Sequence, residues 1–462
     1  MSIQVNPAIR PELDPAFVPA VLWNRAYRQA VKASGRAVDV TIALYRPNGT
    51  VSTLPTAIFP HEGEYKALNV RYIERLVKFL LWMKGGYKVL IAGCAPLADD
   101  IRAIYSPKGA RSFDYDMMGD RIYGRPFEVV AGDRAPESNE ISVKLGGHLD
   151  GCRIGFDLGG SDRKCAAVID GKVVHTEEVP WDPYFQKDPA YHRAGIVDSL
   201  RRAAAKLPRV DCIGGSAAGV YVDNQPRLAS LFRGVPADVF KQKVVPMFLD
   251  IQKEFGVPMI VANDGEVTAL AGAMSMKSNS VIGISMGTSL AAGYVNPNGN
   301  ITDWLNELAF VPVDYRENAP ADEWSGDLGC GVQYFCQQGV ARLAKQTDLN
   351  FPADMPFPQQ LIEVQELMKK HDPRAAAIYR TIGVCFGYTV AHFAEFYEIS
   401  KLLVLGRVSS GEGGEVIIDE AQKVLKAEFP ELAESIEFRV PDETFKRHGQ
   451  AVIAASLPEI KK

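Results

Sequence analysis

Two aspartates stand where the chain turns away from an apolar strand. Asp157, in GFDLGGSDRK, is followed by Gly159, Gly160 and Ser161; Asp264, in VPMIVANDGEVTALAGAM, follows Asn263. Glycines at a turn let backbone N–H groups approach the oxygens of a phosphate. A serine hydroxyl donates a further bond, and an aspartate at the strand end is placed to hold a hydrated Mg²⁺. A carboxylate at the end of a buried strand lies where the pocket of an α/β sheet opens, which is where a general base would sit. Each segment also has a plain structural reading: a hairpin turn for the glycine pair, and a helix N-cap for Asn263 or Asp264.

Two further segments extend the pattern. SVIGISMGTSLAAGYVNPNGNI reads as an apolar strand, a Gly287-Thr288-Ser289 turn, a second strand and an Asn298-Gly299 hairpin signal. KLLVLGRVSSGEGGEVIIDEAQKVL gives a buried strand over 402–405, a loop with Gly406, Ser409 and Gly411, and then a helix. The small residues of that loop leave room for a flat adenine and ribose against the backbone.

The elements that must hold these residues follow from the pattern around them. CRIGFDLGGSDRKCAAVIDGKVV is strand, turn, strand, with an Asp170-Gly171 turn into a third run. The segment around Gly287 repeats that layout. Two similar strand-turn-strand units with an acid at a strand end between them imply duplicated subdomains facing a cleft. Residues 1–150 have their own rhythm: apolar runs on either side of Pro47-Asn48-Gly49 predict a hairpin. VRYIERLVKFLLWMKGG predicts a helix with Tyr72, Leu76, Phe79, Leu80 and Met83 on one face, stopped by Gly85-Gly86, and YKVLIAG reads as a buried strand. The polar, turn-rich segment AGDRAPESNEISVKLGGHLDG is the natural boundary, with an extended strand over 141–145 left open.

Composition bounds the function. The 462 residues are 47% hydrophobic and 23% charged, with a formal net charge of -5, so the chain has material for two or three domains and no bulk charge that favours a polyanion. Nucleic acid is not expected as a partner. No apolar run approaches the roughly 20 residues of a spanning helix. The seven cysteines are odd in number and scattered, and MSIQVNPAIR lacks a charged-then-apolar leader pattern. A cytoplasmic protein with no membrane partner is the expectation.

In its order of motifs the segment from about residue 152 to 458 resembles the sugar kinases of the actin/hexokinase/Hsp70 superfamily, specifically the ROK family (repressors, open reading frames, kinases). FDLGGS is similar to the first phosphate motif and GGSAAGVYVDNQPRLASLFRGV, with Gly219, to the Gly-rich substrate-side segment. ANDGEVTALAGA is similar to the Asn-Asp catalytic segment, GISMGTS to the second phosphate motif, and LLVLGRVSSG to the adenosine loop. The resemblance implies an α/β fold of two RNase-H-like lobes around a cleft. The expected division is an accessory α+β domain over 1–150, lobe one over 151–262, and lobe two over 263–462 with its final helix, TFKRHGQAVIAASL, returning to lobe one.

It further implies ATP and Mg²⁺ as cofactors and a small sugar as substrate, with a homodimer left open. Asp264 is then the general base and Asn263, Glu307 and Gly219 are substrate contacts. Asp157 positions Mg²⁺ through water, and Gly159, Gly160, Ser161, Gly287, Thr288, Ser289, Gly406, Ser409 and Gly411 surround the nucleotide. The chain also departs from the family. Where Glu-x-Gly-His is usual it has Glu307-Leu308-Ala309-Phe310, and the three-cysteine cluster is reduced to Cys330 and Cys336, so no zinc site is expected. The second phosphate motif reads Ser289-Leu290-Ala291-Ala292-Gly293 where glycines are common, which narrows the approach to phosphate. A catalytically weak sugar- and nucleotide-binding regulator is the alternative to a kinase.

Overall fold

The computed structural model describes residues 3–143, 145–440 and 443–460, with the side chains of 143 and 443–448 left aside. The chain divides into two compact units: residues 1–141, 284–291 and 304–438 form one, and residues 142–283, 292–303 and 439–462 form the other.

The second unit is built on a five-stranded sheet in the order Met259–Asn263, Cys212–Ala217, Cys152–Leu158, Asp162–Ile169, Lys172–Pro180. The first three strands are parallel and the last two antiparallel. The antiparallel pair is joined through Asp170 and Gly171, both at positive φ (47° and 77°), the conformation a tight hairpin turn demands. One face of the sheet is apolar: Ile154, Phe156, Leu158, Ile213 and Val261 pack with Ile196 and Leu200 of the Pro189–Ala204 helix and with Phe248 and Ile251 of Met247–Phe255.

The opposite face is opened by two glycines. Gly155 and Gly214 stand opposite each other in register, and a Cβ on either would lie 1.7 Å from the Ala451 carbonyl oxygen or 1.6 Å from that of Ala454. Their absent side chains let the backbone of the Glu443–Ala455 helix lie against the sheet, where Ala451 and Ala455 pack with Ala166 and Val168. The first part of TFKRHGQAVIAASL, up to residue 448, lies outside the described side chains. A smaller strand set completes the unit. Val295 pairs with Ile301, and Ile301 and Thr302 pair with Val143 and Ser142, so the open strand prediction over 141–145 is a two-residue strand, Ser142–Val143.

In the first unit the predicted hairpin is present: Val38–Tyr45 pairs with Val51–Ile58, with Gly49 at φ 84° in the turn. They belong to a four-stranded sheet completed by Lys88–Ala92 and Glu128–Gly132. The Tyr65–Lys84 helix differs from its one-faced prediction. From Tyr72 to Met83 every residue is buried, Glu74, Arg75 and Lys78 included, because buried acidic and basic groups surround its polar side chains on all sides. The same unit holds the Pro373–Phe393 and Glu412–Glu428 helices. Gly383 and Gly387, one turn apart, sit against the backbone of Ile417 and Ala421, with 2.7 Å and 2.8 Å from a would-be Cβ to their carbonyl oxygens. No helix among the described residues is long and apolar enough to cross a membrane.

The glycine pair under the last helix gives a direct test. Gly214→Ala is expected to destabilise the protein by about 1–3 kcal/mol or more, the usual cost of overpacking a site that cannot relax. Urea denaturation reads this, and an unchanged midpoint would show that the helix does not lie on the sheet in this way.

Candidate active site

Asp157, Ser216 and Asn263 come from the carboxyl ends of three neighbouring parallel strands. Register pairs Asp157 with Ser216 and Asn263 with Ala217, so the sheet delivers these side chains to one edge, where open α/β sheets bind ligands. Asp157 is buried. Its Oδ1 accepts a hydrogen bond from the Ser216 hydroxyl at 2.7 Å, and its Oδ2 lies 3.9 Å from Lys164 Nζ. Burial pushes its pKa up to about 6, the Ser216 bond and Lys164 charge oppose that, and the charges of Asp264 and Asp162 add to it.

Asn263 and Asp264 divide the work at the start of the Asp264–Met276 helix. Asn263 is the N-cap: its Oδ1 accepts from the Gly265 N–H at 2.7 Å, and its Nδ2 donates to the Gly219 carbonyl at 2.7 Å. Asp264 Oδ1 also accepts from that N–H at 2.9 Å, so the cap does not depend on it. Desolvation raises the Asp264 pKa, partly offset by the Gly265 N–H. The helix start lies hard against a strand backbone: Cβ atoms on Gly265 and Gly293 would meet the carbonyl oxygens of Ala292 and Gly265 at 2.4 Å and 2.1 Å. Gly219, at φ 124°, is held 2.3 Å (would-be Cβ) from the Leu228 carbonyl, so its missing side chain serves the turn while its carbonyl orients Asn263. Burial raises the pKa of the Tyr221 hydroxyl, and the nearby charge of Asp264 adds to the rise.

The Gly159–Ser161 loop is fixed from several sides. The Gly159 N–H donates to the Asp162 carbonyl at 2.9 Å, Trp181 Nε1 donates to the Gly159 carbonyl at 2.8 Å, and a Cβ on Gly160 would meet the Tyr184 hydroxyl at 2.0 Å. Ser161 is exposed and its hydroxyl donates to Asp162 Oδ2 at 2.9 Å. Asp162 is itself paired with Lys164 at 2.8 Å, and that lysine and the Ser161 hydroxyl hold its carboxyl below the usual range despite partial burial.

The other predicted residues belong to the first unit. Among the described residues other than its chain neighbours, the nearest atom to a would-be Cβ on Gly287 is the Ser289 carbonyl oxygen at 3.8 Å, and Thr288 and Ser289 are exposed. Gly406, at φ 97°, sits against the Met286 backbone, 2.3 Å from would-be Cβ to the carbonyl oxygen. The Ser409 hydroxyl is buried and donates to the Leu405 carbonyl at 2.6 Å, which closes the loop rather than presenting a donor. Gly411, at φ 69°, caps the Glu412–Glu428 helix and lines a pocket of about 190 Å³ with Gln365, Lys369, Tyr379 and Gly413. Gly413 lets the Tyr379 ring approach to 2.4 Å from a would-be Cβ, and the buried Tyr379 hydroxyl has no hydrogen-bond partner among the described residues. The Glu307 N–H donates to the Trp82 carbonyl at 2.9 Å.

Cys330 and Cys336 are poorly suited to a metal. Cys330 Sγ lies 3.6 Å from Asp327 Oδ2 and Cys336 Sγ donates to the Val332 carbonyl at 2.7 Å; burial pushes the Cys336 thiol up to about 11 and Cys330 well above its ordinary value. Thiols held protonated in this way make weak metal ligands.

Ser216, Lys164, Tyr221 and Tyr379 were not singled out by the motifs. Lys164 carried a signal, because it stands opposite Asp157 across the hairpin. Ser216 and Tyr379 carried none, since their partners lie 59 and 34 residues away in sequence.

Parallel strands that carry acids at their carboxyl ends, flanked by helices, are shared with solved ROK proteins of the actin-like ATPase fold. Residues 153–453 match the ROK family model, and the chain belongs to the ROK family. No curated protein sequence matches it. Among solved structures, the ROK hexokinase of Thermus thermophilus superposes with a TM-score of 0.52 at 17% identity, covering 66% of this chain and 96% of its own. A ROK family transcriptional regulator, homologue of the E. coli MLC protein, superposes with a TM-score of 0.54 at 17% identity, covering 67% and 78%. The fold is therefore common to a sugar kinase and to a regulator.

The raised pKa of Asp157 has a consequence for stability. Folding favours its protonated form, so the stability it contributes is complete below about pH 4 and is lost as pH rises through about 6. A rise from 3.8 to about 6 corresponds to about 3 kcal/mol. In metal-free buffer, Asp157→Asn is expected to unfold at higher denaturant than the parent at pH 7 and to lose that advantage at pH 4. Equal midpoints at both pH values would contradict the burial of an uncompensated charge.

Proposed function

We propose that the chain is an ATP-dependent sugar kinase of the ROK family. The observation that carries this reading is the division of labour at 263–264: Asn263 supplies the cap, which leaves Asp264 as a desolvated carboxylate with a raised pKa beside a second buried acid. A carboxylate whose pKa burial raises is a stronger base than an ordinary one, which suits it to accept a proton from a sugar hydroxyl as that oxygen attacks. Asn263 and Glu307 are the proposed sugar contacts, with Gly219 holding Asn263 in place.

Membership of the family supports Mg-ATP as the donor, which when bound supplies the transferable phosphoryl group and its charge neutralisation. Asp157 fits a cation held through water: burial desolvates its carboxylate and raises its pKa, and the Ser216 hydroxyl and the Lys164 ammonium 3.9 Å away offset this only in part. The open turn at Gly287, Thr288 and Ser289 and the loop over Gly159–Ser161 are the proposed phosphate contacts. The pocket at Gly411, with Gly406 and Ser409 shaping its loop, is the proposed adenosine site. Residues 1–150, 151–262 and 263–462 are the proposed accessory module and two lobes, and a reducing cytoplasm is the proposed compartment. The regulator alternative is kept by the MLC-like relative and by the paired Asp162 at the first phosphate loop.

A panel of hexoses, N-acetylhexosamines and polyols incubated with Mg-ATP separates the two readings. Phosphorylation of one class by the parent, with turnover reduced by about two to four orders of magnitude in Asp264→Asn and sugar binding retained, is the expected result. Saturable sugar binding with no transfer across the panel would favour the regulator.

A further inference from the structure

The segment that carries Glu307 is held by residues from the amino-terminal part of the chain, and the way it is held is unusual. Asn306 and Glu307 donate their N–H groups to the carbonyls of Met83 and Trp82, at 2.8 Å and 2.9 Å. These are the last carbonyls of the Tyr65–Lys84 helix, which have no partners within the helix. About one turn back along that helix, Lys78 is fully buried and touches two acids: Asp114, at 2.9 Å and 3.0 Å, and Asp327, at 3.0 Å.

Asp327 lies twenty residues beyond Glu307 and gathers two more cations, Arg75 at 3.3 Å and Arg111. Glu74 closes the set by accepting from Arg75 at 2.6 Å and Arg111 at 2.6 Å, and Trp82 Nε1 donates to Asp114 at 2.6 Å. Three basic and three acidic side chains thus gather in one buried cluster; the acids around Lys78 hold it charged, and the cations around Asp327 hold its pKa down, while burial pushes those of Glu74 and Asp114 up. The ends of the loop between are themselves tied, since Val313 donates to the Gly329 carbonyl at 2.8 Å and Gly331 to that of Val311 at 3.0 Å.

We infer that this cluster positions the Glu307 segment for the acceptor sugar, doing with ion pairs from the amino-terminal module what Cys330 and Cys336 are not suited to do with a metal. Lys78, Asp327 and Glu74 are positioning residues. The amino-terminal module then contributes to the substrate-side architecture. This rests on the kinase reading only where it concerns the sugar; the clamping itself is independent of it.

Hydrogen–deuterium exchange and steady-state kinetics on the full chain test both parts. Because Lys78→Met alone leaves Asp114 without its cation, the charge-balanced pair Lys78→Met/Asp114→Asn is compared with Lys78→Arg. The pair is expected to exchange the amides of 306–310 and 313–331 at least about tenfold faster than the parent while the amides of 212–217 are unchanged. It is also expected to raise the sugar KM by about tenfold to a hundredfold with the ATP KM retained. Lys78→Arg should restore both. Unchanged exchange over 306–331 in the pair overturns the inference. So does a stoichiometric metal in the parent whose chelation produces the same loosening. Should the parent phosphorylate no sugar, the kinase reading fails, and the exchange arm still decides whether the cluster clamps this segment.

Discussion

Two carboxylates kept from water at the ends of parallel strands are the constraint around which the second unit is arranged. Burial raises the pKa of both Asp157 and Asp264, and the charge of Asp264 adds to the rise at Asp157, where Lys164 and the Ser216 hydroxyl act against it. A fold that tolerates such a pair needs a rigid frame. It has one in the opposed glycines 155 and 214, which admit the last helix onto the sheet, and in Gly265 and Gly293, which bring the start of the Asp264 helix against a strand backbone. Each glycine removes a side chain so that two backbones touch, and the acids inherit fixed positions.

The first unit uses charge differently. Around Lys78 and Asp327 the charges balance, and the gain is in register rather than in net stability, since a buried ion set seldom stabilises more than well-packed apolar groups would. A second set repeats the idea: Asp14 pairs with Arg316 at 2.8 Å and Arg342 at 2.7 Å, while Asp314 accepts from the Val18 N–H at 3.0 Å and the Tyr334 hydroxyl at 2.6 Å. Residues before 142 and after 304 thus share a core by specific polar contacts, in keeping with their grouping in one compact unit.

Much of this was legible in the sequence where local chemistry decides. The Pro47-Asn48-Gly49 and Asp170-Gly171 turns, the strands ending at Asp157 and Asn263, and the family itself were readable because turn residues and apolar runs act over a few positions. Gly155 and Gly214 were not read as a helix seat, because the helix they admit begins more than 200 residues later. The Tyr65–Lys84 helix was read as one-faced because Glu74, Arg75 and Lys78 count as polar in any periodicity. Their burial is decided by Asp327, some 250 residues away. The bond of the Ser409 hydroxyl to the Leu405 carbonyl, which closes the Gly-rich loop, is not legible from the loop's composition. Local pattern gives an element's type and a motif's place; which polar group is satisfied by which depends on contacts far apart in sequence.

The central claim is that Asp264 is a carboxylate whose desolvation fits it for accepting a proton. The pH dependence of kcat/KM for an accepted sugar at saturating Mg-ATP, which reports the nucleotide-bound enzyme before the sugar binds, addresses it most directly. The account predicts an acid limb with an apparent pKa clearly above the ordinary aspartate value of about 3.9, because activity needs the ionised form that burial disfavours. An acid limb at the ordinary value, or one that persists unchanged in Asp264→Asn, would contradict it.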